Sequence, residues 1–271
     1  MNPEQLLEVN DVQLCVQTFG DHADPAILLI HGACASMLWW EDELCERLAA
    51  GRRFVIRFDN RDTGRSSYCP PGAPNYAHSD LVADALAILD ALHVRRAHVV
   101  GRSMAGGTAL ALAVDHPDRV ATVTFVTTTT GELPMGQVTF PPEPDWADPG
   151  EVLDYLVDST AAYAGESPHF DADAIRELAE RDLARTPSIR STMTNHFLID
   201  FDTPRKGGFG DIRVPSLVVH GEVDPVFPLD HGEALRAAIP GAGLLVLPKA
   251  GHEVPPETWD VFVPALLEHT S

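Results

Sequence analysis

Positive charge is scarce in this chain. Nineteen lysines and arginines stand against 40 aspartates and glutamates, a formal net charge of −21 over 271 residues. Nucleic acids and anionic membranes bind by having their phosphates neutralised, so neither is an expected partner. Cysteine is scarce as well. Cys15, Cys34, Cys45 and Cys69 form no C-x-x-C pair and are too few to staple a chain of this length. Reduced, mostly buried thiols are predicted. The amino terminus (MNPEQLLEVND) has neither a basic start nor an apolar stretch, which points to a cytoplasmic protein. No apolar run reaches the roughly 20 residues of a membrane helix. No compact His/Asp/Glu set has metal-ligand spacing, so no metal site is expected. Internal repeats and low-complexity tracts are missing too.

What remains is 45% hydrophobic residues, enough for a sizeable core. Their pattern alternates strand, helix and strand. Residues 6–19 read as two antiparallel strands, and 26–31 as a strand buried on both faces. A helix is predicted over 39–50, strands at 54–58, 98–100 and 120–126, and helices over 79–92 and 108–114. This order predicts an α/β fold with a mostly parallel sheet covered on both faces. From 131 to about 210 no buried strand is legible. Prolines 134, 141, 142, 144 and 149 cluster there, followed by helical stretches at 151–164, 171–185 and 187–198. Residues 131–210 therefore read as a helical insertion over the carboxyl end of the sheet, between core segments 1–130 and 211–271. In the second core segment, strands are predicted at 216–220 and 244–247, and helices at 230–238 and 256–269.

Chemistry concentrates where strands end. His98-Val99-Val100-Gly101-Arg102-Ser103-Met104-Ala105-Gly106-Gly107 reads as a strand, a tight turn and a helix start, which would lift the Ser103 hydroxyl clear of the backbone. A serine hydroxyl needs an imidazole to take its proton, and that imidazole needs a carboxylate to hold its tautomer. Asp224 follows the strand at 216–220 and His252 follows the strand at 244–247. The order Ser, Asp, His, each after a sheet strand, is far more specific than the serine motif alone. Glu222 is the competing acid. Backbone N–H groups of Met104, next to the serine, and of Ala33, after His31-Gly32, are the expected oxyanion donors. His31 is expected to play a supporting structural role. Asp59 and Arg61 should brace the neighbouring loop, and Arg65 is a weaker candidate for a substrate carboxylate.

Together, Ile30-His31-Gly32, Asp59-Asn60-Arg61-Asp62-Thr63-Gly64-Arg65-Ser66, Gly101-Arg102-Ser103-Met104-Ala105-Gly106, Gly221-x-x-Asp224 and Gly251-His252 resemble the α/β-hydrolase superfamily over essentially the whole chain. The Asp59–Ser66 turn and Arg96-Ala97-His98-Val99-Val100-Gly101 bring it nearest to the capped serine esterases that include aclacinomycin methylesterase. The resemblance implies an eight-stranded, mostly parallel sheet, a cap at the 131–210 insertion, a triad of Ser103, Asp224 and His252, and ester hydrolysis without a cofactor. An aspartate nucleophile, as in the related dehalogenases and epoxide hydrolases, does not match Ser103.

Two residues depart from the pattern. Ala105 replaces the usual glycine, and a slightly looser turn should tolerate its methyl group. Arg102 stands where histidine, leucine or an aromatic is common. Buried and unpaired it would cost several kcal/mol, so a partner is expected, a carboxylate beneath the sheet being one candidate. Trp39, Trp40, Phe140, Trp146, Tyr155, Tyr163, Phe197 and Phe201 are candidate walls of a pocket for a small or medium hydrophobic ester, such as a methyl ester of a polyketide-like metabolite. Other readings of the same serine chemistry are an amide or N-terminal-proline peptidase, a lactonase, a thioesterase, a carbon–carbon bond hydrolase and a cofactor-free perhydrolase. A ligand-binding protein that keeps the fold without turnover is the non-enzymatic alternative.

Overall fold

Ala26 to Ile30 are five consecutive apolar residues, and every one is buried because both faces of their strand are covered. The computed structural model describes residues 2–201 and 206–271; residues 202–205 of the expected insertion lie outside the described residues. Eight strands form one sheet: β1 (Gln5–Val9), β2 (Val12–Phe19), β3 (Ala26–Ile30), β4 (Phe54–Phe58), β5 (Ala97–Arg102), β6 (Val120–Val126), β7 (Ser216–Gly221) and β8 (Gly243–Leu247). Their order is β1-β2-β4-β3-β5-β6-β7-β8. The first two strands form an antiparallel hairpin and β2 runs antiparallel to β4; every later pairing is parallel.

Strand alternation divides the core in two. Ala26, Leu28 and Ile30 enter one half, and Ile27 and Leu29 the other. The first half is closed by α2 (His78–Ala91), α3 (Ala105–Asp115) and α7 (Leu229–Ala238), through Ala85, Ile88, Leu110 and Leu235. The second is closed by α1 (Asp42–Ala50) and α8 (Trp259–His269), through Leu44, Leu48, Phe262 and Leu266. All six parallel strands present their carboxyl ends at one edge, where crossover loops gather and ligands bind in such sheets.

Between β6 and β7 lie α4 (Pro149–Ala164), α5 (Ala172–Leu183) and α6 (Ile189–Thr194), and no strand occurs there among the described residues. This is the helical cap. Asp148 caps α4 by accepting from the Gly150 N–H at 2.8 Å, and Asp171 caps α5 by accepting from the Asp173 N–H at 3.0 Å. Polar contacts fasten the cap to the sheet edge. Arg185 pairs with fully buried Asp59 at 2.7 Å. The Thr192 hydroxyl donates to the Asp62 carbonyl at 2.7 Å, and Asn195 Nδ2 donates to the Asp62 carboxylate at 2.9 Å. On the opposite side, the His252 N–H donates to the Tyr163 carbonyl at 3.0 Å.

Two helix predictions need correction. The helix expected over 39–50 is a short turn at Met37–Trp39 followed by α1, because Ser36 caps the first piece and the chain is extended at Glu41. The helix expected over 187–198 is only α6 plus a turn at Asn195–Phe197.

The core also buries ionisable groups in their neutral form. His98 lies in β5 with Nδ1 at 3.1 Å from the Thr122 hydroxyl, and burial, reinforced by Arg53, pushes its pKa down to about 4. Unfolded, His98 takes up a proton as pH falls through about 6.5; folded, it resists until much lower pH, so stability is lost across that window. From pH 7.5 to 5 the native protein is expected to lose about 2 kcal/mol more than His98→Asn. Urea unfolding of both proteins at the two pH values measures this. Equal losses would contradict it.

Candidate active site

The chain leaves β5 and enters α3 through Ser103, whose φ is +52°. For a residue with a side chain this left-handed conformation costs on the order of 1–3 kcal/mol and needs support from its surroundings. The Ser103 N–H donates to the Val126 carbonyl at 2.9 Å, while the Ser103 carbonyl accepts from the Gly106 N–H at 2.9 Å and the Thr128 hydroxyl at 2.8 Å. Close approach completes the turn. A Cβ at Gly101 would lie 2.4 Å from the Ala105 carbonyl oxygen, and one at Gly106 2.4 Å from the Thr128 hydroxyl. Ala105 begins α3, where a methyl group is at home, so the motif's missing glycine is not needed at that position.

Three predicted residues meet here. His252 Nε2 is 2.9 Å from Ser103 Oγ, and His252 Nδ1 is 2.9 Å from Asp224 Oδ2. The other oxygen of Asp224 accepts the Val226 and Phe227 N–H groups at 2.8 and 2.9 Å. Burial works to raise the Asp224 pKa, but the His252 ring and the Phe227 N–H outweigh it and hold the carboxyl below its usual range. Asp224 is therefore ionised and fixes the His252 proton on Nδ1, leaving Nε2 free to accept from Ser103. Glu222, the competing acid, instead accepts the Lys249 N–H at 2.8 Å.

The His31–Cys34 loop lies against the serine turn. A Cβ at Gly32 would be 2.8 Å from Ser103 Cβ and 3.4 Å from the Met104 nitrogen. Among the described residues neither the Ala33 nor the Met104 N–H meets an acceptor. Arg102 has partners, but among the described residues no carboxylate within ion-pairing distance: its guanidinium reaches His31 Nε2 at 2.9 Å and donates to the His252 carbonyl at 2.7 Å. The expected carboxylate is thus replaced by two neutral acceptors, with Glu253 and Asp224 acting only through their field. Burial, with Arg102 adding to it, pushes His31 well below the usual histidine range and keeps it neutral.

The candidate wall residues divide. Tyr163 stacks on His252 with ring centroids 5.5 Å apart, Phe140 packs on Tyr163 at 4.9 Å, and Trp146 packs on Tyr155 at 5.6 Å. Trp39 Nε1 donates to Asp182 on α5 at 2.8 Å. Trp40 lies in the core instead, 1% exposed and in T-shaped contact with His31, because α1 and β3 close over it. Phe197 is 63% exposed on the outside of the cap. Phe201 is equally exposed and stacks on His78. Phe227 was not anticipated. Its ring meets His252 edge-on at 5.5 Å, and its position three residues after Asp224, in the acid's own turn, was the available signal. Arg61 pairs with Asp84 at 2.7 Å and Arg65 with Glu4 at 3.0 Å, so both brace loops. Among the described residues no group of three His, Cys, Asp or Glu is placed to hold a metal, and no helix is long and apolar enough to cross a membrane.

The α/β-hydrolase fold family model matches residues 25–257. The chain belongs to that family. Along its length this α/β hydrolase is 31% identical to rhodomycin D methylesterase from Streptomyces peucetius, an alignment covering 99% of this chain and 98% of the relative. It is 29% identical to a 2-hydroxymuconate semialdehyde hydrolase from Pseudomonas sp. (strain CF600), over 83% of this chain and 80% of that one. Among solved structures, a hydrolase from Pseudomonas aeruginosa PA01 superposes with a TM-score of 0.72 at 28% identity, covering 98% and 97% of the two chains.

The crowding at Gly32 yields a prediction. Gly32→Ala should leave the circular-dichroism spectrum unchanged but reduce kcat on an activated ester by about 100-fold, because its methyl group displaces the serine turn. A folded variant with native kcat would show that the loop and turn are not in the stated contact.

Proposed function

We propose that this carboxylic-ester hydrolase of the α/β-hydrolase fold works through Ser103 as nucleophile, His252 as general base and acid, and Asp224 as the orienting carboxylate. The observation that carries this reading is the unbroken line Ser103 Oγ–His252 Nε2, His252 Nδ1–Asp224, with 2.9 Å at each step. Ser103 Oγ attacks the ester carbonyl carbon as its proton passes to His252 Nε2. The Ala33 and Met104 N–H groups receive the charge that develops on the carbonyl oxygen. When the tetrahedral centre collapses, the C–O bond to the alcohol breaks and His252 returns its proton to the departing oxygen. A water molecule then repeats the sequence on the acyl-enzyme and releases the carboxylic acid.

The preferred substrate is a methyl ester on a flat, apolar, polyketide-like metabolite. Full-length kinship to rhodomycin D methylesterase supports this class. So does the aromatic flank of the base: Phe140 against Tyr163, Tyr163 and Phe227 against His252. Face and edge contacts of this kind favour planar ligands. The leaving alcohol is then methanol, small enough to need no pocket of its own.

A panel of methyl and acyl esters, with planar and aliphatic acids, tests the proposal against native protein and Ser103→Ala. Methanol release should be fastest from planar polycyclic methyl esters and should drop by at least about 1,000-fold in Ser103→Ala. Equal rates in the two proteins would overturn Ser103 as nucleophile. Preference for short aliphatic acyl esters would overturn the substrate class.

A further inference from the structure

Most of the buried cations here have an anionic partner: Arg57 reaches Asp42, Arg61 reaches Asp84, and Arg185 reaches Asp59 and Glu4. Among the described residues two others reach only neutral acceptors: Arg53, on the Thr270 hydroxyl and the carbonyls of Gly51, Arg52 and Leu267, and Arg102 beside the serine turn. The Arg102 guanidinium is spent on the imidazole of His31 and the backbone carbonyl of His252. Burial pulls its pKa below the ordinary arginine value, which marks the location as unfavourable for a cation. An apolar side chain at 102 would avoid that cost, so packing alone gives no reason for arginine there.

The three chain segments that Arg102 joins are those the proposed chemistry must hold in register. Its own backbone is the residue before Ser103. Through Nη1 it fixes His31, whose strand end leads through Gly32 to the Ala33 N–H. Through Nη2 it fixes the carbonyl of His252, and so the backbone that carries the imidazole. His31 can accept this bond only as a neutral ring, which its burial ensures. A planar guanidinium presents diverging N–H donors at fixed angles, so one side chain sets two distances together. Lysine offers a single flexible point charge and cannot do the same.

We propose that Arg102 is a positioning residue that locks the oxyanion loop and the base-bearing loop to the serine turn. The proposal rests on the assignment of Ser103, His252 and Asp224 made above. Arg102 acts through His31 and the His252 backbone; it forms and breaks no bond in the reaction.

The test is a double-mutant cycle of Arg102→Met and His31→Phe, with Arg102→Lys and Ser103→Ala as further variants. Each is assayed on an activated ester and for its rate of covalent labelling by a fluorophosphonate, with thermal melts to establish folding. Arg102→Met is expected to lower kcat and the labelling rate by about 100-fold while KM stays within about twofold, as loss of alignment without loss of binding requires. Arg102→Lys should recover no more than about tenfold, since it restores charge but not the two-pronged geometry. The double variant should be no slower than Arg102→Met by more than about threefold, because both changes break one linkage. Folded Arg102→Met protein with native kcat, or full recovery by Arg102→Lys, would overturn the proposal. If Arg102→Met fails to fold, folded His31→Phe with native kcat and labelling would overturn it equally. Native turnover in Ser103→Ala would instead refute the underlying assignment, so the two failures are distinguishable.

Discussion

The left-handed backbone at Ser103 is the constraint on which the rest of this molecule depends. A serine at φ +52° points its hydroxyl away from the sheet and toward the loops of neighbouring strands. That conformation persists only because β6 accepts its N–H, Thr128 and Gly106 hold its carbonyl, and Gly32 and Gly101 leave room for the turn. These supports come from three places along the sheet edge: the end of β3 through Gly32, β5 and the start of α3 through Gly101 and Gly106, and the end of β6 through Val126 and Thr128. The turn is therefore only as well placed as the sheet's register, which the two apolar half-cores fix from opposite faces.

Around this turn the fold distributes polar work unevenly. On one flank, Asp59, Asp62 and Arg61 spend their side chains or carbonyls on cap residues Arg185, Thr192, Asn195 and His196. On the other, the His252 N–H bonds directly to α4 of the cap, and a Cβ at Gly251 would stand 2.3 Å from the Ala164 carbonyl. The cap is thus fastened at both sides of the sheet edge, and one fastening belongs to the residue proposed as base. Substrate selection by the cap and alignment of the base share a structural element. Most of the excess carboxylates lie on the surface and take no part in this inner geometry.

Much of this was legible in the residues. A continuous apolar run marked β3 because both its faces are buried, and the turns after β7 and β8 singled out Asp224 and His252, which the fold brings within 2.9 Å of one another. The less legible parts depend on three-dimensional neighbours. Trp40 and Tyr155 look equally suitable as wall residues in sequence, yet one is sealed by α1 and the other faces Trp146. Arg102 announced that it needed partners without naming them, since His31 is 71 positions away and His252 is 150. Ala105 departs from the motif in sequence, yet helix α3 begins at that residue and accommodates its methyl group. Phe227, a phenylalanine in a turn, carries no periodic signal, only its closeness in sequence to Asp224.

The central claim, that Ser103 is the residue activated by His252 and Asp224, is tested most directly by mapping a covalent adduct. Native protein treated with a fluorophosphonate should gain the mass of one phosphonyl group, located by peptide sequencing on Ser103, and His252→Ala should label at least about 100-fold more slowly. An adduct on any other residue, or undiminished labelling in the folded His252→Ala protein, would contradict the account.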